Sequence, residues 1–217
     1  LDKNRVYRTV DRFAALASNA VAEPLDTPQQ TIKPPQLTST AAQQSKTLEA
    51  LGLDIQKPAL AICPGAEYGP AKRWPAAYFA KVTRHYQKEG WQVWLIGSGK
   101  DREITASISD QAEGAINLAG KTRLDQAIDL LAASRVVVSN DSGLMHIAAA
   151  TDTPVLAIYG SSDPNYTPPL NPSAEILYHS LPCSPCFARH CPLGHLDCLR
   201  GISAEEVIEK LDKLKNY

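Results

Sequence analysis

The sequence predicts an α/β domain built on a doubly wound parallel sheet, Rossmann-like in its alternation. Three observations carry this. Short apolar runs alternate with stretches of helical periodicity from about residue 59 onward, and such alternation places parallel strands in one sheet. The runs are apolar at nearly every position, as strands covered on both faces must be. The polar, glycine-containing segments follow the runs, at the edge where open α/β sheets carry their ligands.

The elements follow in order. Residues 3–22, KNRVYRTVDRFAALASNAVA, set Val6, Val10, Phe13, Leu16 and Ala17 on one helical stripe. Residues 23–47 hold four prolines among many Gln, Ser and Thr, and read as a linker. "ALAIC" (59–63) is a buried strand, and Pro75 opens a helix that reaches about Glu89. "QVWLIG" (92–97) is a strand whose following helix runs to about Ala112. "AINLAG" (115–120) is a short strand followed by a helix over Leu124–Ser134. "RVVVS" (135–139) is a strand and Gly143–Ala150 a helix; "PVLAIYG" (154–160) and "EILYH" (175–179) close the series. A final helix spans Ala204–Lys215, capped by Ser203 with Glu206 at its third position. Residues 48–217 thus form the domain, with 1–22 and 23–47 outside its rhythm.

Composition narrows the function classes. Hydrophobic residues make up 44% of the 217 and charged residues 21%, enough for a core and too few charges for wholesale disorder. The net charge of −1 offers no global attraction to nucleic acid or anionic lipid, so any anion site must be local. No apolar run approaches a membrane span and no signal peptide opens the chain, so the expected compartment is the reducing cytoplasm. The first residue is Leu1 rather than Met, which suggests a fragment of a longer chain.

Three loops after strands are chemically loaded. "CPGAEYGPAKRWP" (63–75) brings Lys72 and Arg73 close to a helix start, which suits a phosphate or is a solvated basic pair. Trp74, before Pro75, reads as a packing residue that seats the helix. In "GSGKD" (97–101) Asp101 accepts hydrogen bonds from a ribose, as acids do in dinucleotide sites, or caps a helix. In "NDSGLMHIAAA" (140–150) Asp141 or Ser142 caps the helix, and Gly143 removes a side chain where a ligand approaches the backbone. Free N–H groups of the first turn and the helix dipole favour an anion such as a diphosphate there. Ala148, Ala149 and Ala150 let the helix lie close to the sheet. His146 faces the ligand or packs between helix and sheet. "GSSDPNYTPP" (160–169) belongs to the same rim. Neither GxGxxG opening a helix nor GxxxxGK[ST] occurs, so dinucleotide and P-loop fingerprints are absent.

Together "CPGAEYGPAKRWP", "NDSGLMHIAAA" and "YGSSDPNYTPPL" resemble the carboxyl-terminal half of the ADP-heptose:lipopolysaccharide heptosyltransferases, the heptosyltransferase II branch in particular. The resemblance covers nearly the whole chain. It implies the carboxyl-terminal half of a GT-B glycosyltransferase, with residues 1–22 the last helix of an amino-terminal domain that carries the acceptor site and the catalytic aspartate. It implies transfer of heptose from ADP-heptose to the lipopolysaccharide inner core, with inversion, no required metal and no cofactor. The lipid acceptor would place the whole enzyme peripherally at the inner face of the cytoplasmic membrane. By motif, Lys72 would contact donor phosphate and Asp101 the ribose. Asp141, Ser142, Gly143 and Leu144 would line the diphosphate and sugar, with His146 beside them. No general base is assigned within the chain. Rival readings are a sugar-nucleotide epimerase of like architecture and a zinc-stabilised binding module.

Four of the five cysteines, Cys183, Cys186, Cys191 and Cys198, are spaced C-x2-C-x4-C-x6-C with His190 and His195 interleaved. The spacing admits structural zinc, disulfides, or reduced thiols shaping a loop. The expectation taken forward is free thiols and no metal.

Overall fold

The computed structural model describes residues 7–17 and 32–216. Among these residues, six parallel strands form one sheet in the order β3-β2-β1-β4-β5-β6. They are β1 (Ala59–Cys63), β2 (Gln92–Leu95), β3 (Ile116–Asn117), β4 (Val136–Asn140), β5 (Val155–Tyr159) and β6 (Ala174–Tyr178). The registers run Ile62 to Leu95 on one side of β1 and Cys63 to Ser139 on the other. This is the doubly wound order, with its reversal between β1 and β4.

Residues alternate between two cores, because successive side chains of a strand point to opposite faces. Leu60, Ile62, Val93, Leu95, Val136, Val138, Leu156 and Ile158 face one layer. That layer is α3 (Ala76–Lys88), α4 (Arg102–Gln111) and α8 (Ala204–Leu214), which supply Phe79, Val82, Tyr86, Ile108, Val207 and Leu211. Ala61, Cys63, Trp94, Ile96, Val137, Val155, Ala157 and Tyr159 face α2 (Ala41–Ala50), α5 (Leu124–Ala133) and α6 (Gly143–Ala150). Small side chains on α6, Ala148 and Ala149, are buried against the sheet, so this helix sits close to it.

Two local readings change. The linker reading of 23–47 falls partly outside the described residues, and its end is helical: α2 starts at Ala41 behind a capping box of Thr40 and Gln43. Ser39 Oγ and Thr47 Oγ1 each donate at 2.7 Å to the buried carboxylate of Asp129 on α5. The last residues of a stretch that reads as linker, from Ala41 on, are thus a capped helix tied down by hydrogen bonds. The strand expected over 115–120 shrinks to Ile116–Asn117, because Asn117 Oδ1 accepts the Ala119 N–H and turns the chain. At the far end Ser203 caps α8 by accepting the Glu206 N–H. The Glu206 carboxylate does not close the box; it meets His179 Nε2 at 3.1 Å.

Of the leading stripe, Val6 lies outside the described residues. Helix α1 spans Thr9–Ala17, and Phe13 on it is exposed. The helix meets the loop after β5 through Thr9 N–H to Tyr166 O at 2.9 Å and through the Tyr7–Asp163 and Arg12–Tyr166 side-chain pairs.

Candidate functional site

Neighbouring strands β1 and β4 send their chains to opposite sides of the sheet, and the crevice beyond their carboxyl ends is the place for a ligand. Asn140, the last residue of β4, ties its two walls. Its side chain donates to Pro64 O at 2.7 Å and accepts the Trp74 N–H at 3.1 Å. Trp74 is fully buried, donates Nε1–H to Ile202 O at 2.9 Å and packs edge-on against Phe79. The loop from β1 is therefore anchored at both ends while its middle projects over the crevice.

Lys72 ends a short 3-10 turn, Pro70–Lys72, in that loop. Its ammonium donates to Asp141 Oδ2 at 2.5 Å and lies over the Tyr68 ring. Asp141 is buried and also accepts from Ser162 Oγ at 2.6 Å. Burial depresses the His146 pKa below its ordinary value; Asp141 opposes this and Lys72 adds to it. His146 is thus neutral at neutral pH and lies within the field of the Lys72–Asp141 pair. Arg73 parts from Lys72: its guanidinium donates to Ala66 O at 3.3 Å and braces the loop. The basic pair read from the sequence is one lysine facing the crevice and one structural arginine.

Beside the pair opens a cleft of about 390 Å³, lined by Gly65, Ala66, Gly97, Asp101, Ser142, Gly143 and Leu144 among others. Helix α6 opens onto it. Ser142 holds the N-cap position in extended backbone, yet no side chain caps the helix; Ser142 Oγ instead meets Ser139 Oγ at 3.3 Å. The expectation that Asp141 or Ser142 caps α6 is corrected, because both are held elsewhere. The first-turn N–H groups, which have no intrahelical partner, remain for a ligand. A Cβ built on Gly143 meets nothing within 4 Å, so the space above that backbone is cleft.

Asp101 lines the same cleft. Its Oδ2 accepts both the N–H and the Oγ–H of Ser98 at 2.8 Å, which fixes the carboxylate. Gly65 and Gly97 leave room for it: a Cβ on Gly65 would stand 2.2 Å from Asp101 Oδ1. The alternative reading, a cap, is met in part: the carboxylate closes a capping box with Ser98 at the 3-10 turn Gly99–Asp101 that leads into α4, while Asp101 makes no side-chain cap bond to α4 itself.

The structure therefore gathers Asp101, Ser142, Gly143 and Leu144 around one cleft and sets Lys72, Asp141 and His146 in an adjoining charged group. Sequence reading missed Ser162 as the second partner of Asp141 and the Thr122–Leu124 segment on the cleft wall. A signal existed for the latter, since it follows the third strand of a parallel sheet. The two-residue length of β3 hid it.

The segment 183–198 is hydrogen-bonded to the loops that follow β1 and β5. No disulfide forms among the described residues, and Cys183, Cys186, Cys191 and Cys198 line one small shared cavity.

Residues 1–197 match the profile of glycosyltransferase family 9 (heptosyltransferase). The chain is 38% identical to lipopolysaccharide heptosyltransferase 2 of Salmonella typhimurium over 99% of its length and 63% of that protein's. It is 42% identical to lipooligosaccharide heptosyltransferase 2 of Haemophilus influenzae over 77% of its length and 51% of that protein's. The solved ADP-heptose lps heptosyltransferase II of E. coli superposes with a TM-score of 0.86 at 38% identity, covering 100% of this chain and 64% of that one. The chain thus spans less than two thirds of the length of these relatives.

Proposed function

Because the chain belongs to glycosyltransferase family 9 (heptosyltransferase), we propose that it is the donor-binding part of an enzyme that transfers heptose from ADP-heptose to the lipopolysaccharide inner core. The observation that carries this reading is the uncapped start of α6 opening onto the cleft, with Lys72 fixed beside it. A helix N-terminus and an ammonium group together suit a diphosphate.

In the transfer step the bond between the heptose anomeric carbon and the diphosphate breaks, and negative charge grows on the departing phosphate oxygen. The Gly143 and Leu144 N–H groups and the Lys72 ammonium meet that charge where it develops, so they stabilise the transition state more than the ground state. Asp141 orients Lys72 and is a poor general base, since Lys72 and Ser162 already occupy its carboxylate. Asp101 takes a ribose hydroxyl, Leu144 and Ser142 border the sugar, and neutral His146 packs beside them. The acceptor hydroxyl attacks the opposite face of the anomeric carbon, inverting it. This reading puts the acceptor surface and the base on a facing amino-terminal domain of the whole protein. The lipid acceptor then places the enzyme peripherally at the inner face of the cytoplasmic membrane. No helix among the described residues is long and apolar enough to cross a membrane. Epimerase and binding-module readings lose favour because the curated relatives are transferases.

Calorimetry with ADP, AMP and adenosine tests the donor site. ADP binds at least about tenfold more tightly than adenosine if two backbone donors and a lysine hold the second phosphate. Equal affinity for all three ligands overturns the reading.

A further inference from the structure

We propose that Cys183, Cys186, Cys191 and Cys198 bind one thiophilic divalent cation of the zinc type, and that this cation clasps the two loops that hold Lys72 and Ser162. The four side chains come from fourteen residues of irregular chain (183–196) and the short helix α7 (Asp197–Arg200), yet all border a single cavity of about 20 Å³. A space of that size admits about one water or one ion. The chain turns back after Cys191: the Gly194 N–H donates to Cys191 O at 3.1 Å, and Gly194 takes the left-handed conformation (φ +74°). Ser161 borders the same cavity, is 1% exposed, and its Oγ has no hydrogen-bond partner. A buried hydroxyl without a partner points to something polar in that space. Four cysteine sulfurs are a donor set that favours zinc over harder divalent ions such as magnesium and calcium.

The position of the cluster gives it a task. Phe187 N–H donates to Ser161 O at 2.7 Å and Ser184 Oγ to Gly160 O at 2.6 Å, which ties the thiol loop to the loop after β5. Ala71 N–H donates to Arg189 O at 3.0 Å, which ties it to the loop after β1. Ser161 adjoins Ser162 and Ala71 adjoins Lys72, the two residues that converge on Asp141. Among the described residues only His85, Glu89 and Asp212 bring three ligand atoms within 4.8 Å of one another. The Lys215 ammonium already serves that group, at 2.9 Å from Glu89 and 2.7 Å from Asp212. No three of the four cysteine sulfurs lie within 4.8 Å of one another, so they must close inward on binding, to Zn–S bonds of about 2.3 Å, with the tethered loops following.

The test uses the unaltered chain, purified with reductant and without chelator. Elemental mass spectrometry finds about one equivalent of zinc per chain. After removal of that metal, titration with cobalt(II) yields thiolate-to-metal charge-transfer bands. Cys186→Ser and Cys191→Ser lose the metal and the bands, while His85→Ala keeps both. Metal removal weakens ADP binding by about tenfold through misplacement of Lys72. Absence of retained metal together with absence of cobalt bands overturns the site, as does metal that survives both cysteine substitutions. Metal bound by the thiols whose removal leaves ADP affinity unchanged overturns the clasp. Metal content and cobalt spectra do not depend on ADP, so a failed donor site and a failed metal site are read separately.

Discussion

Lys72 donates a 2.5 Å hydrogen bond to Asp141 across the crevice between β1 and β4, although 69 positions separate the two residues in the chain. Lys72 is largely covered and Asp141 is buried, so each depends on the other for its charge balance. The pair joins the two loops that the doubly wound strand order brings side by side.

Replacing Lys72 with Met should weaken ADP binding by roughly tenfold to a hundredfold, the worth of about 1.5–3 kcal/mol for hydrogen bonds to a charged group, and leave adenosine binding alone. The same change strands the Asp141 carboxylate and should lower stability by on the order of 3 kcal/mol. Adding Asp141→Asn should restore much of the melting temperature without restoring ADP affinity. Thermal denaturation and calorimetry on the two variants separate these effects. Recovery of ADP binding in the double variant would show that Lys72 serves the fold alone.

Gly143 should tolerate a side chain structurally and not functionally. A Cβ there meets no protein atom, and alanine in place of glycine within a helix favours folding by about 0.5–1 kcal/mol. Gly143→Ala should therefore hold or raise the melting temperature. Gly143→Val should abolish detectable ADP binding while the fold persists by circular dichroism. A collapse in stability with normal binding by the folded remainder would assign Gly143 to packing.

Gly65 behaves in the opposite way. Its Cβ would stand 2.2 Å from Asp101 Oδ1 and 2.5 Å from Asp101 Cγ, so Gly65→Ala must displace the carboxylate from Ser98. The expected cost is about 1–3 kcal/mol in stability. Affinity for ADP and for adenosine should fall together, because the ribose side of the cleft is disturbed. Chemical denaturation and calorimetry check this; loss confined to ADP would mean that Asp101 faces the phosphates instead.

The depressed His146 pKa, caused first by burial, carries a pH signature. The unfolded chain takes up a proton on this imidazole near its ordinary value of about 6.5, while the folded chain resists until lower pH. Stability from this residue is therefore complete above that value and declines as pH falls through it toward the folded pKa. His146→Gln should flatten part of the decline in urea midpoint between about pH 7 and 5. Identical pH slopes in the two proteins would place His146 in a solvated setting.

The helix starts and strand cores were legible from local pattern. "VVVSNDSGLMHIAAA" (136–150) shows an apolar run, a polar break with glycine, and a small-residue helix; that order alone places an anion-suited helix start at a sheet edge. The capping of α8 by Ser203 was equally local. Capping of α6 was not, because Asp141 had two possible uses, and Lys72 and Ser162 claim its carboxylate. Helix α2 escaped notice since its stability rests on Asp129, some eighty residues away in sequence.

By itself the sequence determined the periodicity: the alternation of strands and long helices from residue 59 onward, and that polar loops follow the strands. Those properties depend on backbone geometry and on burying apolar side chains, both written in neighbouring residues. Only the tertiary structure decided the strand order β3-β2-β1-β4-β5-β6, and with it the meeting of Lys72 with Asp141, the parting of Arg73 from Lys72, and the enclosure of four cysteines about one cavity. Each of these joins loops that are distant in the chain, and the packing of helices on both faces of the whole sheet selects the strand order that brings them together.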